Sequence, residues 1–555
     1  MSGSLDRWEL LPSYDEVVEA CKIFGTSFFQ LGFLSKAIFL EQLASHRSTI
    51  NVFFLLAILS VSARFTPCLI SRYNDGLKAA EIFMTRAQAL VIEEMYTPTL
   101  ERTQAFFLLA IAEWGKGDKT SSNIHMGIAV RMAGLLRLHR EETYDLPKDF
   151  SAEDVINAEM ARRTFWMLES QDNLHSGYST PTSFSLDDIT TLLPCEERDF
   201  AFGLMPQERT ALAGTLSAAR NPNIVHTSSR SLFATPIQAH NLWGQVARRA
   251  VSSSEQHTGE NLQPWDHRSD YAVLSLSLQT WEEHLPIRHQ WSIWNLRGYK
   301  AEGLDLAYLS VVMVLRLSNI ILRRSFIENI ISHPTPDSAP EQFWSQMSEE
   351  LFKNVLALHE QIDAFFSLRS QEQGFPAMIV FCVYVCGSLA SHLWKRREMC
   401  PRLFPGVEDV VSKSLEVLTD LQHAWPLARR WRQALEERSS SMLEQQRVRR
   451  ERFKDAVEMP GHGSVPKYSC SQLNNESTKG DRSLADQNNG GPHNINSMQY
   501  QNGGQTMLGI EGNFSRDPQQ SIPSNLYSVA SPADDMEAQL AAFIQVQGQL
   551  GMLYE

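Results

Sequence analysis

Apolar residues along this chain recur at offsets of three, four and seven, and strict alternation is nowhere sustained long enough to build a half-buried strand. The pattern predicts an all-α fold: a large multi-helix domain in two packed halves, with a disordered C-terminal tail. Over residues 10–43 a first helical pattern sets Val17, Ala20 and Phe24 on one face. Helices over 51–65 and 73–94 follow, separated by Pro67, which has no backbone N–H to give to a helix interior. Another helix covers 99–112 and ends in the GKGD turn at 115–118. Ser121 or Ser122 can cap the next, 124–138, and its Ile124, Ile128, Leu135 and Leu138 fall on one stripe that predicts the buried face. His139 at its end suits the dipole and last carbonyls of a helix C-terminus, with a metal ligand or catalytic base as the other reading.

The most informative stretch is 157–194. No Gly or Pro interrupts 157–176, and Phe165, Leu168 and Asp172 share one helical face, so a carboxylate stands beside an apolar stripe. Glu159 and Arg163 are four apart, as are Arg162 and Trp166. That spacing predicts an intrahelical ion pair and a guanidinium stacked on an indole. Gly177 stops the helix, Pro181 and Asp187-Asp188 mark a connector, and Leu192-Leu193-Pro194 closes it. The pattern thins over 202–236, where Asn221-Pro222-Asn223 and a serine-rich run read as a surface linker between the two halves. Helices are then expected over 304–331, 343–366, 376–396 and 407–437, with Trp425, Pro426 and Trp431 closing the folded part. Trp265, Trp281, Trp291 and Trp294 either pack helix crossings or line a ligand pocket.

Charge and composition narrow the function classes. A net charge of −14 argues against binding nucleic acid by overall electrostatics. The seven cysteines are scattered, form no C-x-x-C pair and read as reduced thiols; Cys382 and Cys386, four apart in an apolar run, read as packed core residues. The apolar runs 51–61 and 374–394 read as buried helices and no membrane is implied. Acidic residues at 6, 9, 15 and 16 interrupt any signal-peptide core. No P-loop, G-x-S-x-G elbow or H-E-x-x-H helix is found, and Asp187-Asp188 and Asp534-Asp535 lack the further aspartate of a magnesium-diphosphate box. The chain is therefore expected not to be an enzyme, and no catalytic, cofactor-binding or metal residue is assigned. The basic run RVRRERFK at 447–454 is a nuclear import signal, a DNA contact or the solvated end of a helix. Residues 461–533, rich in Asn, Gln, Ser and Gly, are expected to be disordered. In 534–555, Met536, Leu540, Phe543 and Ile544 share a helical face among acidic residues. This is the composition of an activation segment that folds on a coactivator, or of a helix that docks back on the domain.

Glu159, the Arg162-Arg163-Thr-Phe165-Trp166 run, Asp172, Gly177, Pro181 and the Leu-Pro ending at Pro194 resemble the central signature of the fungal-specific transcription factor domain. The preceding MGIAVRMAGLLRLHRE, 126–141, resembles that family's Gly-x-Ala-x-Arg-x-Ala segment ending in Leu-His-Arg, through Gly127, Arg131 and His139. Where the family commonly has Arg before the proline, this chain has Thr180. The resemblance covers roughly 10–437. It implies a nuclear transcription regulator whose helical domain dimerises or receives signals downstream of a six-cysteine zinc cluster, with these residues structural or regulatory. Implied partners are proteins: a second copy, related regulators or coactivators. No such cluster is present in the sequence, which would need six thiolates including two C-x-x-C pairs. DNA is then reached indirectly or through a missing N-terminal cluster, and zinc enters only in that case. The expected organisation is 10–200 and 236–437 as helical halves, 201–235 as linker, and 438–555 as basic segment, tail and activation segment. A DNA-binding-deficient co-regulator, or a ligand-sensing helical protein with a pocket between the halves near Trp265 or Trp281, are the alternatives.

Overall fold

Several helices begin where the sequence supplies a side-chain oxygen to the first free backbone N–H groups. The computed structural model describes residues 7–27, 32–46, 49–174, 182–227, 230–252, 262–332, 340, 342–370 and 373–458, and among them every regular element is helical. The first seven α-helices are α1 (Tyr14–Ser27), α2 (Lys36–Ser45), α3 (Val52–Ser62), α4 (Pro67–Tyr73), α5 (Gly76–Glu94), α6 (Leu100–Lys116) and α7 (Lys119–Leu135). Asn51 caps α3 by accepting from the Phe53 N–H at 2.8 Å, Asp75 caps α5 from Lys78 at 2.7 Å, and Thr99 caps α6 from Arg102 at 3.2 Å. Gly117, at φ +101°, ends α6 in the left-handed conformation that glycine adopts without strain. Pro67 opens α4 at its first turn, where no N–H is needed.

The start and the buried face of α7 differ from the sequence expectation. Its cap is Asp118, which accepts from the Ser121 N–H at 3.1 Å, so neither Ser121 nor Ser122 fills that position. Ile124 and Leu135 are exposed, at 58% and 65%. The inward face is instead Ser122, His125, Met126, Ala129, Met132 and Ala133. Small residues let α7 lie close on α6: Ser122 Oγ donates to the Ala110 carbonyl at 2.8 Å, and His125 Nδ1 meets Glu113 Oε2 at 2.8 Å. Polar side chains that find partners across the contact can outcompete larger aliphatic ones for the buried side.

Next come α8 (Ala152–Leu174), α9 (Glu197–Phe202), α10 (Leu216–Arg220), α11 (Ala234–Ser252), α12 (Asp270–Glu283) and α13 (Ile293–Ala301). The last six are α14 (Asp305–Arg324), α15 (Ile327–Ser332), α16 (Phe343–Leu368), α17 (Ala377–Lys395), α18 (Val407–Leu421) and α19 (Leu427–Glu458). The long helix expected over 304–331 breaks after Arg324, and that expected over 407–437 breaks before Leu427, next to Pro426. α19 then runs past residue 437, with Ser439 and Met442 still buried, and 447–454 lies on its later turns.

α3 is buried on every side and packs against α1, α5 and α6; α6 packs on α7 and α8. α8 joins α11, α11 joins α14, α14 joins α16, and α16 and α17 lead to α18. The helices before residue 200 thus meet those after 235 where α8 lies on α11, and one apolar cluster runs from Leu11 to Met442. The 201–235 stretch is packed where a surface linker was expected. Ala211, Ala218 and Val225 form a small core, and Arg230 is fully buried, donating to the His284 carbonyl at 2.7 Å and to Gln238. Its polarity reads as exposure because partners such as the His284 carbonyl, 54 residues away, are not visible locally.

Both α14 and α17 are long and apolar enough, by length and composition, to cross a membrane, and 89% of each such window is buried inside the structure. Cys382 and Cys386 lie buried in α17, and burial pushes the Cys382 thiol up to about 12. The chain closes on itself at Trp425. Its ring lies 4.5 Å from the Arg64 guanidinium and packs on Phe65, and its Nε1–H donates to the Phe375 carbonyl at 3.0 Å. Arg64 also donates to the Ala424 carbonyl at 3.3 Å, and burial pushes it down to about 10.

Gly115 in α6 faces that indole so closely that an added Cβ would lie 2.1 Å from Trp425 Cζ3. Alanine ordinarily favours a helix over glycine by about 1 kcal/mol. Gly115→Ala is nonetheless expected to destabilise the chain by about 1–3 kcal/mol, measured by urea unfolding, because the indole must move.

Candidate functional site

α8 is where the residues singled out in the sequence converge. From Arg162 to Ser170 every side chain is buried, so the helix has no solvent face along these turns and its polar groups must be satisfied by neighbouring elements. Glu159 is the hub. Its carboxylate lies 3.2 Å from Arg163 Nε, 2.7 Å from Arg209 Nη2 and 3.8 Å from Arg162 Nε, and it accepts from the Cys195 N–H at 2.9 Å. Burial raises its pKa, but Arg209, Arg163 and Arg162 together bring it below the ordinary carboxylate value, so it stays ionised.

The Glu159–Arg163 pair forms as the spacing predicts. The arginine–indole stack does not. Arg162 lies over Tyr144, 4.1 Å from the ring centroid, and is held by both oxygens of Glu141 at 2.6 and 2.7 Å. It also donates to the Leu192 carbonyl at 3.0 Å, which accepts the Trp166 Nε1–H at 2.8 Å. Arg163 is sandwiched between Phe200 at 4.0 Å and Phe233 at 4.3 Å, and reaches Glu197 at 2.6 Å and the Cys195 carbonyl at 3.2 Å. Pro194 in the same connector accepts from Ser231 Oγ at 2.8 Å. The two arginines thus grip the connector backbone from one helix, Arg162 at the Leu192 carbonyl and Arg163 at the Cys195 carbonyl just past Pro194.

The other predicted residues divide. Phe165 is buried edge-on to Trp166 at 5.1 Å and to Phe184 at 5.4 Å. His139 lies beyond the end of α7, so it does not cap that helix. Its ring stacks on Phe184 at 5.4 Å, and its own carbonyl accepts from the Thr190 N–H at 3.0 Å. Gly127 and Arg131 lie on the exposed side of α7, away from the charge network, whereas Ala129 and Ala133 of the same motif are buried. Asp172 accepts from the Ser183 N–H at 2.9 Å. Gly177 and Pro181 lie outside the described residues, as do 461–533 and Met536, Leu540, Phe543 and Ile544. Sequence reasoning missed Glu141, Glu197 and Arg209. Glu141 ends the Leu-His-Arg-Glu run and was visible there, whereas no local pattern marks Arg209. Of the tryptophans, Trp281 is buried against Gln238, Trp265 packs on Phe343 and Trp344, and Trp294 is exposed.

A buried ion network with stacked arginines holds this helical scaffold together, and the comparisons with known proteins find transcription regulators similar to it. Residues 24–283 match the family described as "Fungal specific transcription factor domain". An uncharacterized transcriptional regulatory protein of Schizosaccharomyces pombe is 27% identical over 286 residues, covering 49% of this chain and 28% of that protein. The Zn(2)-C6 fungal-type transcription factor FTF1c of Fusarium oxysporum f. sp. lycopersici is 24% identical over 364 residues, 63% of this chain and 38% of its own. The pigment biosynthesis transcriptional activator pigB of Monascus ruber is 30% identical over 152 residues, 26% of each chain. The chain thus spans well under half the length of these relatives. No solved structure matches.

Two outcomes test the network. Arg163→Ala leaves Glu159 and Glu197 facing a buried gap and is expected to cost about 3–5 kcal/mol in urea unfolding. Deeper along α8, burial and then the nearby Asp172 carboxylate push Glu169 up to about 8. Its folded pKa stands above the unfolded one, so its ionisation destabilises the fold progressively as pH rises from about 4.5 to 8. Glu169→Gln is expected to raise stability at pH 8 by on the order of 2–4 kcal/mol and to leave it unchanged near pH 4.

Proposed function

We propose that this chain is the regulatory part of a nuclear transcription regulator, acting through protein partners while DNA contact comes from a zinc cluster on a partner or on a longer form of the protein. The observation that carries this reading is the family match over 24–283, which contains the whole Glu159 network. The printed names of relatives describe Zn(2)-C6 factors, and the six thiolates of such a cluster have no counterpart among the seven scattered cysteines here. With a net charge of −14 the chain itself is a poor electrostatic match for phosphate.

In this reading the Arg162 and Arg163 clamps set the packing of α8 against α11, and that packing sets the geometry presented to partners. The family is one of regulators, which points away from catalysis. The 534–555 segment, with four acidic and no basic residues, supplies coactivator contact through Met536, Leu540, Phe543 and Ile544. Zinc belongs to the cluster and has no ligand role for this chain.

Fused to an unrelated DNA-binding domain, the chain is expected to change transcription of a reporter, and removal of 534–555 is expected to weaken that change. The purified chain is expected not to bind duplex DNA at about 0.1 M salt, with or without added zinc, in a fluorescence anisotropy titration. Specific, salt-dependent binding would assign DNA recognition to this chain and overturn the division of labour.

A further inference from the structure

A cavity of about 80 Å³ lies where α6, α8, α11, α14 and α17 come together, away from the Glu159 network. Trp114, Leu309, Met313, Met378, Cys382 and Trp425 are among its lining residues, Gln171 lines it too, and no Lys, Arg, Asp or Glu does. One side is polar. His240, buried in α11, meets the Ser170 hydroxyl through Nδ1 and Ser310 Oγ through Nε2 at 2.9 Å. Burial pushes the imidazole down to about 3, so the group is neutral at any physiological pH.

These features constrain an occupant. A charged molecule would lose its hydration with no opposite charge to meet it, so the occupant is uncharged. An apolar cavity of about 150 Å³ takes up benzene, so about 80 Å³ sets a compact size, and the two unbranched methionines in the wall can yield to something slightly larger. The neutral imidazole bonds Ser310 either as donor, which leaves the serine hydroxyl free to donate, or as acceptor, which leaves it able only to accept. A hydroxyl on the occupant satisfies both cases.

We propose that this cavity binds a compact, uncharged molecule with an apolar body and one hydroxyl, seated with that hydroxyl on Ser310. Helices from both sides of the α8–α11 junction line the site, so binding stabilises that junction by linkage. On the regulator reading the occupant is an effector; the site itself does not rest on that reading. The ligand-pocket position expected at Trp265 or Trp281 moves to Trp114 and Trp425, which line the cavity where the other two do not.

Trp114 and Trp425 make intrinsic fluorescence a direct reporter. The full chain is titrated with phenol, benzene and benzoate, with thermal melting read in parallel. Phenol is expected to give a saturable signal and a raised Tm, benzene about tenfold weaker binding for want of the hydroxyl, and benzoate none. Ser310→Ala is expected to bring phenol down to the level of benzene. Ala377→Leu, which fills the cavity, is expected to abolish the saturable signal with helical circular dichroism unchanged. If Ala377→Leu melts without cooperativity, Met313→Phe takes its place and the same signal decides. A phenol response that persists in the filled variant, or benzoate binding as tight as phenol, would overturn the assignment. Loss of reporter activity alone would count against the regulator reading and leave the binding result standing.

Discussion

A single buried carboxylate organises the centre of this protein. Glu159 sits among three guanidinium groups and a backbone amide, and a charge so placed is tolerable only while all of them stay in position. Each arginine in turn ties backbone to the hub: Arg162 the Glu141 and Leu192 region, Arg163 the Glu197 and Cys195 region, and Arg209, reaching back from the packed stretch that follows, the Leu193 carbonyl. The penalty for dismantling any one contact is therefore shared by the others, and α8 is held in one rotation and one depth. Apolar packing alone would specify that rotation less sharply, because aliphatic side chains slide where guanidinium forks do not.

This arrangement explains how a helix with so many polar residues can lie at the middle of the fold. Along α8 the side chains from Arg162 to Ser170 are all covered, and the cover comes from α11 on one side and from connector backbone on another. The paired segments are 21 or more residues apart in sequence, so their carbonyls and carboxylates become available only once the neighbouring helices have packed. The fold thus depends on non-local polar partners as much as on its apolar cluster.

Much of this was legible from the amino acids. The all-helical class followed from periodicity, and Gly117, Pro67 and Pro426 mark real ends or starts of helices. The Glu159–Arg163 spacing located the centre of the network. What periodicity misjudged was direction. On α7 it assigned Ile124 and Leu135 to the core, whereas small and hydrogen-bonding residues took the buried side because close approach to α6 favoured them. Across 201–235 it took polar sequence for surface, because nothing local announces that Arg230 will find Gln238 and His284. Tyr144 replaced Trp166 as the stacking partner of Arg162 for the same reason: helical spacing offers candidates within a helix, and tertiary contacts choose among all of them.

The closure at Trp425 separates two meanings of the word domain. The family match stops at residue 283, yet Arg64, Phe65 and Gly115 inside it are covered by an indole 310 or more positions downstream of Gly115 and by the Phe375 ring. A fragment cut at residue 283, the edge of the family match, would bare this seam, with a buried guanidinium now facing water beside naked aromatic rings. Family pattern and cooperativity have different borders in this protein: the segment that carries the family match is shorter than the segment that packs as one apolar cluster.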